Sequence, residues 1–230
     1  MYNIKVNKDG SYRDYYGYTV ICMTKDNLSF IEEFLKNSYL SKYYSPLPSY
    51  TYHMTVFNIW TYYSPFLPTH KKLIENAYGG EIGLNDIRNN FINAKGWYDP
   101  LNYYQRLLIS INQICKKYDC KNLKGKGYLN AHSTIQLSIV IDNDNNYKIC
   151  EFRKECSKVC EHNDSKLVAH LTLGYKYKDI PEDELEYEKL NKEFENLSKI
   201  VNNLEIEFKA PEPYRFYSMK GYVEESRFWV

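Results

Sequence analysis

Two histidines of this sequence occur in the same short pattern, with a threonine two residues later. The patterns are His53-Met54-Thr55 and His170-Leu171-Thr172. Alternate residues of a β-strand point to the same side, roughly 6–7 Å apart. Each pattern, placed on a strand, would therefore present an imidazole and a hydroxyl on one face and apolar side chains on the other. The same alternation predicts that Phe57 joins the first polar face and Gly174 the second.

Two imidazoles and two hydroxyls in one small volume would suit cleavage of a phosphate ester within a nucleotide. Histidine has an unperturbed pKa of about 6.5, so it can act as a base or as an acid near neutral pH. Each such proton transfer contributes roughly 10²–10⁴-fold to the rate. Threonine hydroxyls can donate hydrogen bonds to the non-bridging phosphate oxygens. This chemistry uses no metal, and we predict neither a metal site nor a cofactor.

A single His-x-Thr pattern is weak evidence, because it also arises in strands with only structural roles. A third occurrence, His132-Ser133-Thr134, has a polar middle residue and lies where a strand begins. We interpret His132 as a turn residue. His70 and His162 lie in polar loop contexts and are predicted to be surface residues. Two such patterns, each with apolar residues at the alternate positions, are much harder to explain by coincidence than one.

The order of predicted elements repeats around the two patterns. Strand, helix and His-x-Thr strand are predicted at 18–23, 27–39 and 50–60, and again at 134–141, 146–160 and 167–177. The repeat predicts two lobes related by approximate symmetry, each with a sheet, whose motif strands face each other across a groove. Further helices are predicted at 101–118 and 182–201, an edge strand or hairpin arm at 123–130, and strands at 204–208 and 214–219.

The charge balance bears on the ligand. Basic and acidic residues number 30 and 29, for a formal net charge of +1. Proteins that bind long nucleic acids usually have a clear excess of basic residues. Because this chain has no such excess, we predict a nucleotide or short oligonucleotide as ligand. We find no apolar run typical of a secretory signal or a membrane span. We therefore expect a cytoplasmic protein with its six cysteines reduced, no membrane association and no obligate protein partner.

The two patterns resemble the paired signatures of the two-histidine (2H) phosphoesterase superfamily. This superfamily includes LigT-like RNA 2′,3′-cyclic phosphodiesterases, 2′,5′-oligoadenylate-cleaving enzymes and U6 RNA-trimming enzymes. The sequence is most similar to its DUF1868-type branch. That likeness covers the segments Tyr16–Cys22, Ser49–Phe57 and Pro211–Met219, besides the second pattern.

The resemblance implies an α/β (α+β) fold in one bilobal domain spanning 1–230. It implies two pseudo-symmetric lobes, each with an antiparallel-rich sheet and flanking helices, around a central cleft. His53, Thr55, His170 and Thr172 would be the catalytic set for hydrolysis of a ribose-linked phosphodiester. The patterns lie farther apart than in the smallest family members, so an insertion or lid is expected within 61–120.

Other residues beside the patterns or in the last strand are candidates for substrate binding. They are Tyr52, Phe57, Trp60, Tyr175, Lys176, Tyr177 and Tyr217. An aromatic ring that stacks under a base contributes about 1–3 kcal/mol. Lys176 and Arg215 could neutralise a second phosphate. Packing in the core or on the surface is the alternative role for each.

The sequence is also compatible with other functions. Structural zinc could involve Cys150, Cys156, Cys160 and His162, with Cys115 and Cys120 earlier in the chain, but none has the Cys-x-x-Cys spacing of a zinc knuckle. A nucleotide- or RNA-binding module could keep the fold without the chemistry. RNA ligation through a 2′,5′ bond and 3′-end RNA trimming are further alternatives. Among phosphodiester substrates, 2′,3′-cyclic phosphates and 2′,5′-linked oligonucleotides rank first, RNA trimmed from its 3′ end ranks next, and cyclic dinucleotides or nucleotide second messengers rank last.

Overall fold

The computed structural model describes residues 4–15, 17–61, 102–118, 122–160 and 168–224. Within these ranges the strands are β1 (Gly17–Met23), β2 (Tyr44–Pro46), β3 (His53–Thr61), β4 (Lys124–Ala131), β5 (Thr134–Ile141), β6 (His170–Lys176), β7 (Leu204–Glu207), β8 (Glu212–Ser218) and β9 (Gly221–Glu224). The α-helices are α1 (Ser29–Asn37), α2 (Asn102–Lys117), α3 (Asn143–Cys160) and α4 (Glu184–Val201). Short 3₁₀ helices span Tyr39–Lys42 and Ser49–Thr51.

All nine strands belong to one antiparallel sheet with the order β7-β4-β5-β6-β3-β1-β8-β9, and β2 pairs with β6. The two motif strands, β3 and β6, are neighbours joined through the pair Met54 and Leu171. Beyond this junction β3 continues its pairing with β1, whereas β6 pairs with β5 and β2. The predicted α+β fold with two antiparallel halves is confirmed. The halves share one continuous sheet, however, and do not face each other as separate sheets.

The helices pack where their apolar stripes meet the buried face of the sheet. Helix α3 contacts β3 and α2, helix α2 contacts β8, and helix α4 contacts β4 and α1. In α1 the fully buried residues are Ile31 and Leu35, one helical turn apart. Helix α4 begins after Asp183, whose carboxylate accepts a hydrogen bond from the backbone N–H of Glu186 at 3.0 Å. Such a cap stabilises a helix by about 1 kcal/mol.

Most boundaries in the described ranges agree with the prediction to within a few residues. Strands β2 and β9 were not predicted. The segment predicted as an edge strand or hairpin arm, β4, is one arm of a hairpin with β5. It is not an edge strand, because β7 pairs with its other side. Much of the predicted insertion within 61–120 lies outside the described residues, and α2 is its described helix. No helix in the described ranges combines the length and apolar character that a bilayer crossing needs.

Candidate active site

A cavity of about 110 Å³ lies over the junction of β3 and β6. His53, Thr55, His170 and Thr172 all line it. The residues between them, Met54 and Leu171, are fully buried on the other face of the sheet. The structure therefore brings both His-x-Thr patterns together at one site.

The register of the junction determines how the four side chains are arranged. Because Met54 pairs with Leu171, His53 lies level with Thr172 and Thr55 lies level with His170. Each imidazole thus has a hydroxyl opposite it, and the two imidazoles occupy diagonal positions. An approximate two-fold axis through the junction relates one pattern to the other.

Both imidazoles are oriented by the same hydrogen bond. Nδ1 of His53 lies 2.6 Å from the carbonyl oxygen of Thr51, and Nδ1 of His170 lies 2.7 Å from that of Val168. A carbonyl oxygen can only accept, so in each ring Nδ1 carries a proton and donates. In the neutral imidazole this leaves the lone pair on Nε2. The atom free to exchange a proton with a substrate is therefore Nε2 in both rings.

His53 has an environment that favours its neutral form. Its ring packs against the ring of Tyr222, with 4.7 Å between the centroids. Burial, followed by the nearby charges of Lys5 and His170, lowers the pKa of His53 to about 4, although its hydrogen bond to Thr51 acts in the opposite direction. At neutral pH His53 is therefore unprotonated at Nε2 and can accept a proton.

A β-bulge follows the first pattern. In the pairing of β3 with β1, Val20 lies opposite Phe57, but the next residue, Ile21, lies opposite Thr55. Strand β3 therefore carries Val56 as an extra residue at this point. An extra residue reverses the alternation of the side chains that follow it, here as far as Asn58, because a second register shift lies between Thr19 and Tyr18.

A matching bulge follows the second pattern. In the pairing of β6 with β5, Ile135 lies opposite Gly174, but the next residue, Gln136, lies opposite Thr172. The extra residue is Leu173, which holds the same position after its histidine as Val56 does after His53.

The two bulges change which residues face the cavity. Simple alternation predicted Phe57 and Gly174 on the polar faces and Tyr175 on the apolar face. Asn58 and Tyr175 line the cavity instead, and Phe57 is fully buried. The predicted positions of Phe57, Gly174 and Tyr175 were thus wrong, because a period of two does not anticipate an inserted residue.

The carbonyl groups displaced by the bulges have partners. The buried guanidinium of Arg153, on α3, donates to the carbonyl oxygen of Val56 at 2.6 Å. The backbone N–H of Leu47 donates to the carbonyl oxygen of Leu173 at 2.8 Å. A buried carbonyl left without a donor costs about 1–3 kcal/mol, so these contacts stabilise the bulged conformation of both motif strands.

Lys5 brings a positive charge to the cavity wall. Its ammonium donates to the hydroxyl of Tyr175 at 3.2 Å and lies 5.2 Å and 5.1 Å from the ring centroids of Tyr15 and Tyr175. Burial acts to lower the pKa of Lys5, but the interactions with Tyr175 and Tyr15 outweigh it and the pKa is raised. Lys5 is thus protonated. Sequence reasoning missed it, because a lysine in a polar segment carries no periodic signal.

Three comparisons relate this chain to known proteins. A crystal structure of a conserved protein of unknown function, ATU0111 from Agrobacterium tumefaciens str. C58, has a similar fold, with a TM-score of 0.60 and 14% sequence identity over 96% of this chain and 89% of that one. The uncharacterized protein 127L of Invertebrate iridescent virus 6 is 30% identical over 223 residues, which cover 89% of this chain and 86% of the viral protein. The family model described as "2H-phosphodiest: Domain of unknown function (DUF1868)" matches residues 5–64. The chain belongs to this DUF1868 family of 2H-phosphodiesterase domains. The resemblance predicted from the sequence is thereby confirmed.

Apart from Tyr175, the substrate-binding candidates of this DUF1868 domain that can be located do not line the cavity. Tyr52 is fully buried, and its hydroxyl has no hydrogen-bond partner among the described residues. Lys176 lies 3.7 Å from the carboxylate of Asp179. The hydroxyl of Tyr177 donates to the carbonyl oxygens of Ser41 and Lys42 at 3.0 and 2.9 Å.

The remaining candidates are also accounted for. Tyr217 packs beside Gly221, outside the cavity lining, and Arg215 is buried. The backbone of Trp60 belongs to β3, but its side chain is outside the described residues. His132 is exposed in the turn between β4 and β5, as predicted, whereas His70 and His162 lie outside the described ranges.

The cysteines of the described residues do not form a metal site. Cys115, Cys156 and Cys160 are buried, and Cys150 is partly buried. Burial, with smaller contributions from neighbouring groups, raises the pKa of Cys156, and burial raises that of Cys160 to about 12. Thiols that hold zinc are deprotonated, so this apolar setting favours a packing role. In the described part of the chain no group of three or more His, Cys, Asp or Glu side chains is placed to hold a metal ion. Cys120 lies outside it.

Proposed function

We propose that this chain hydrolyses a ribose-linked phosphodiester, either a 2′,3′-cyclic phosphate or a 2′,5′-linked oligonucleotide, by acid–base catalysis without a metal. The observation that carries the proposal is the convergence of His53 and His170 on one cavity, with Nε2 of each ring left for proton exchange. Membership of a 2H-phosphodiesterase family supports the class of reaction.

His53 is assigned as the base, because it is neutral at physiological pH. In hydrolysis of a cyclic phosphate, Nε2 of His53 takes a proton from water as the water oxygen bonds to phosphorus. The bond from phosphorus to one ribose oxygen breaks on the opposite side. Nε2 of a protonated His170 gives its proton to that leaving oxygen, which becomes a hydroxyl. With a 2′,5′-linked substrate, the neighbouring 3′-hydroxyl replaces water as the nucleophile.

Thr55 and Thr172 are assigned the role of binding the non-bridging oxygens of the phosphate. Their hydroxyls can donate hydrogen bonds without adding charge. Donors preorganised around a charge that develops in the transition state commonly provide the largest part of catalysis.

The size and charge of the cavity support a phosphate as its occupant. Sites that enclose a whole small-molecule ligand measure roughly 300–1,000 Å³, well above the 110 Å³ found here. The cavity can therefore take the phosphate and the edge of a ribose, while a base would lie outside. No carboxylate occurs among the described residues that line it, which favours an anion.

A nucleotide- or RNA-binding module is the rival function, and a set of substrates separates the two. The wild-type protein is incubated in EDTA with 2′,3′-cyclic nucleotides, 2′,5′-oligoadenylate, cyclic dinucleotides and short RNA. Turnover of the 2′,3′-cyclic nucleotides or of 2′,5′-oligoadenylate is expected. A 2′,5′ ligase would instead join RNA ends that carry a 2′,3′-cyclic phosphate, and a trimming enzyme would shorten RNA from its 3′ end. Turnover that EDTA abolishes would contradict the metal-free mechanism.

Two matched substitutions test the assigned residues. His53→Asn and His170→Asn each keep an amide N–H near the position of Nδ1. The hydrogen bond to the carbonyl oxygen of Thr51 or Val168 can therefore be retained. Each is expected to lower the turnover rate by about 10²–10⁴-fold, because one proton transfer is lost. His132→Asn, in an exposed turn, is the control and should retain wild-type turnover. A His53→Asn, His170→Asn double variant as fast as wild type would show that this cavity is not the active site.

A further inference from the structure

The segment before β1 forms a small hairpin that brings Lys5 to the cavity. Val6 pairs with Tyr12 through an isolated antiparallel bridge, and the backbone N–H of Arg13 donates to the carbonyl oxygen of Lys5 at 3.0 Å. Gly10 occupies the turn with φ of 84°, a left-handed conformation that glycine adopts without strain. The backbone that carries Lys5 is thus a defined structure.

This hairpin is attached to both halves of the sheet. The hydroxyl of Tyr12 donates to the carbonyl oxygen of Ser45, on β2, at 2.9 Å, and the hydroxyl of Ser45 donates to that of Gly10 at 2.7 Å. On the other side, the backbone N–H of Tyr15 donates to the carbonyl oxygen of Tyr217, on β8, at 3.0 Å. Lys5 therefore has a fixed position relative to both catalytic histidines.

The ammonium of Lys5 is held at the cavity wall by Tyr175. The Tyr175 hydroxyl accepts from Lys5 at 3.2 Å and donates to the sulfur of Met219 at 3.4 Å. Tyr175 faces the cavity because of the bulge in β6. An ammonium carries three N–H donors, so a bond to Tyr175 is compatible with a second bond to a ligand.

We propose that Lys5 is a catalytic residue that binds a non-bridging oxygen of the scissile phosphate, and that Tyr175 positions its ammonium; this inference rests on the proposed function. The threonine hydroxyls provide donors but no charge. During attack on phosphorus, negative charge collects on the non-bridging oxygens, and a fixed cation next to them stabilises the transition state. Among the described residues lining the cavity, Lys5 is the lysine or arginine that can supply this charge.

The test compares Lys5→Met with Lys5→Arg in the 230-residue chain. Lys5→Met is expected to weaken binding of inorganic phosphate at least tenfold by titration calorimetry and to lower kcat by about 10²–10³-fold, the range for losing one transition-state donor. Lys5→Arg keeps the charge and should remain within tenfold of wild type in both measurements. Lys8→Met, which removes an exposed lysine of the same hairpin, is the control and should leave both unchanged.

A readout independent of turnover separates binding from mere packing. The charge of Lys5 lowers the pKa of His53, so Lys5→Met should raise the pKa of His53 in an NMR titration, whereas Lys5→Arg should not. If phosphate binds Lys5→Met as tightly as wild type, or does not bind wild type, Lys5 is not a phosphate ligand.

The two proposals can fail separately. Turnover by wild type together with an unchanged kcat in Lys5→Met would overturn the role of Lys5 and leave the phosphodiesterase function standing. Absence of turnover with every substrate, together with phosphate binding that depends on Lys5, would overturn the phosphodiesterase function and the catalytic role of Lys5, and would leave Lys5 as a phosphate ligand.

Discussion

Mild acidification is expected to destabilise the folded chain through His53. The pKa of His53 is about 4 in the folded protein, lowered chiefly by burial, against about 6.5 for an unfolded histidine. Between these values the unfolded chain binds a proton that the folded chain does not, so the free energy of unfolding decreases as the pH falls from 6.5 towards 4. For this one group the linkage relation gives a loss of about 2 kcal/mol between pH 7 and pH 5.

The assay is urea unfolding of wild type and His53→Asn at both pH values, followed by circular dichroism. Other groups also titrate in this interval, so the decisive quantity is the difference between the two proteins. Wild type should lose about 2 kcal/mol more than His53→Asn on going from pH 7 to pH 5. His132→Asn, as the control, should follow wild type. Equal losses in wild type and His53→Asn would refute the claim that the fold holds His53 in its neutral form.

Two further predictions concern the bulged strands. A Cβ atom at Gly174 would lie 2.9 Å from the carbonyl oxygen of Ser45, so Gly174→Ala should lower the free energy of unfolding by about 1–3 kcal/mol in urea titrations; an unchanged value would mean that β2 and β6 separate easily. Arg153→Met removes the donor to the carbonyl of Val56 and should cost about 1.5–3 kcal/mol, whereas Lys154→Met, at an exposed position of the same helix, should cost less than about 0.5 kcal/mol. Equal effects of these two substitutions would show that the contact with Val56 contributes little.

The two motif strands could be predicted because their sequences contain local signals. The residues flanking each histidine are apolar at alternate positions, and this alternation is what a half-buried strand requires. The meeting of the two strands is a long-range event, but the repeated order of strand, helix and strand provided a symmetry argument for it. The prediction of two facing sheets failed because the repeat says nothing about whether the two halves exchange hydrogen bonds. Met54 and Leu171 pair across the neighbouring strands β3 and β6, and this pairing joins the halves into one sheet.

The rest of the site depends on features without a local signature. Nothing in the sequence around Val56 or Leu173 marks an inserted strand residue. The strand pattern therefore could not show that the side chains of Asn58 and Tyr175 face the cavity. Lys5 reaches the cavity only through the hydrogen bonds of its hairpin to β2 and β8. Its importance is invisible until those distant partners are known.

The matching bulges have a consequence for interpreting other sequences that carry this doubled pattern. In both strands the side chain that follows the threonine into the cavity belongs to the fifth residue after the histidine, Asn58 in one case and Tyr175 in the other. When the cavities of relatives are compared, sequences aligned on their histidines should therefore be compared at that fifth residue. The fourth residue after each histidine, Phe57 or Gly174, would face the cavity if the strand alternated regularly. It packs in the protein interior instead.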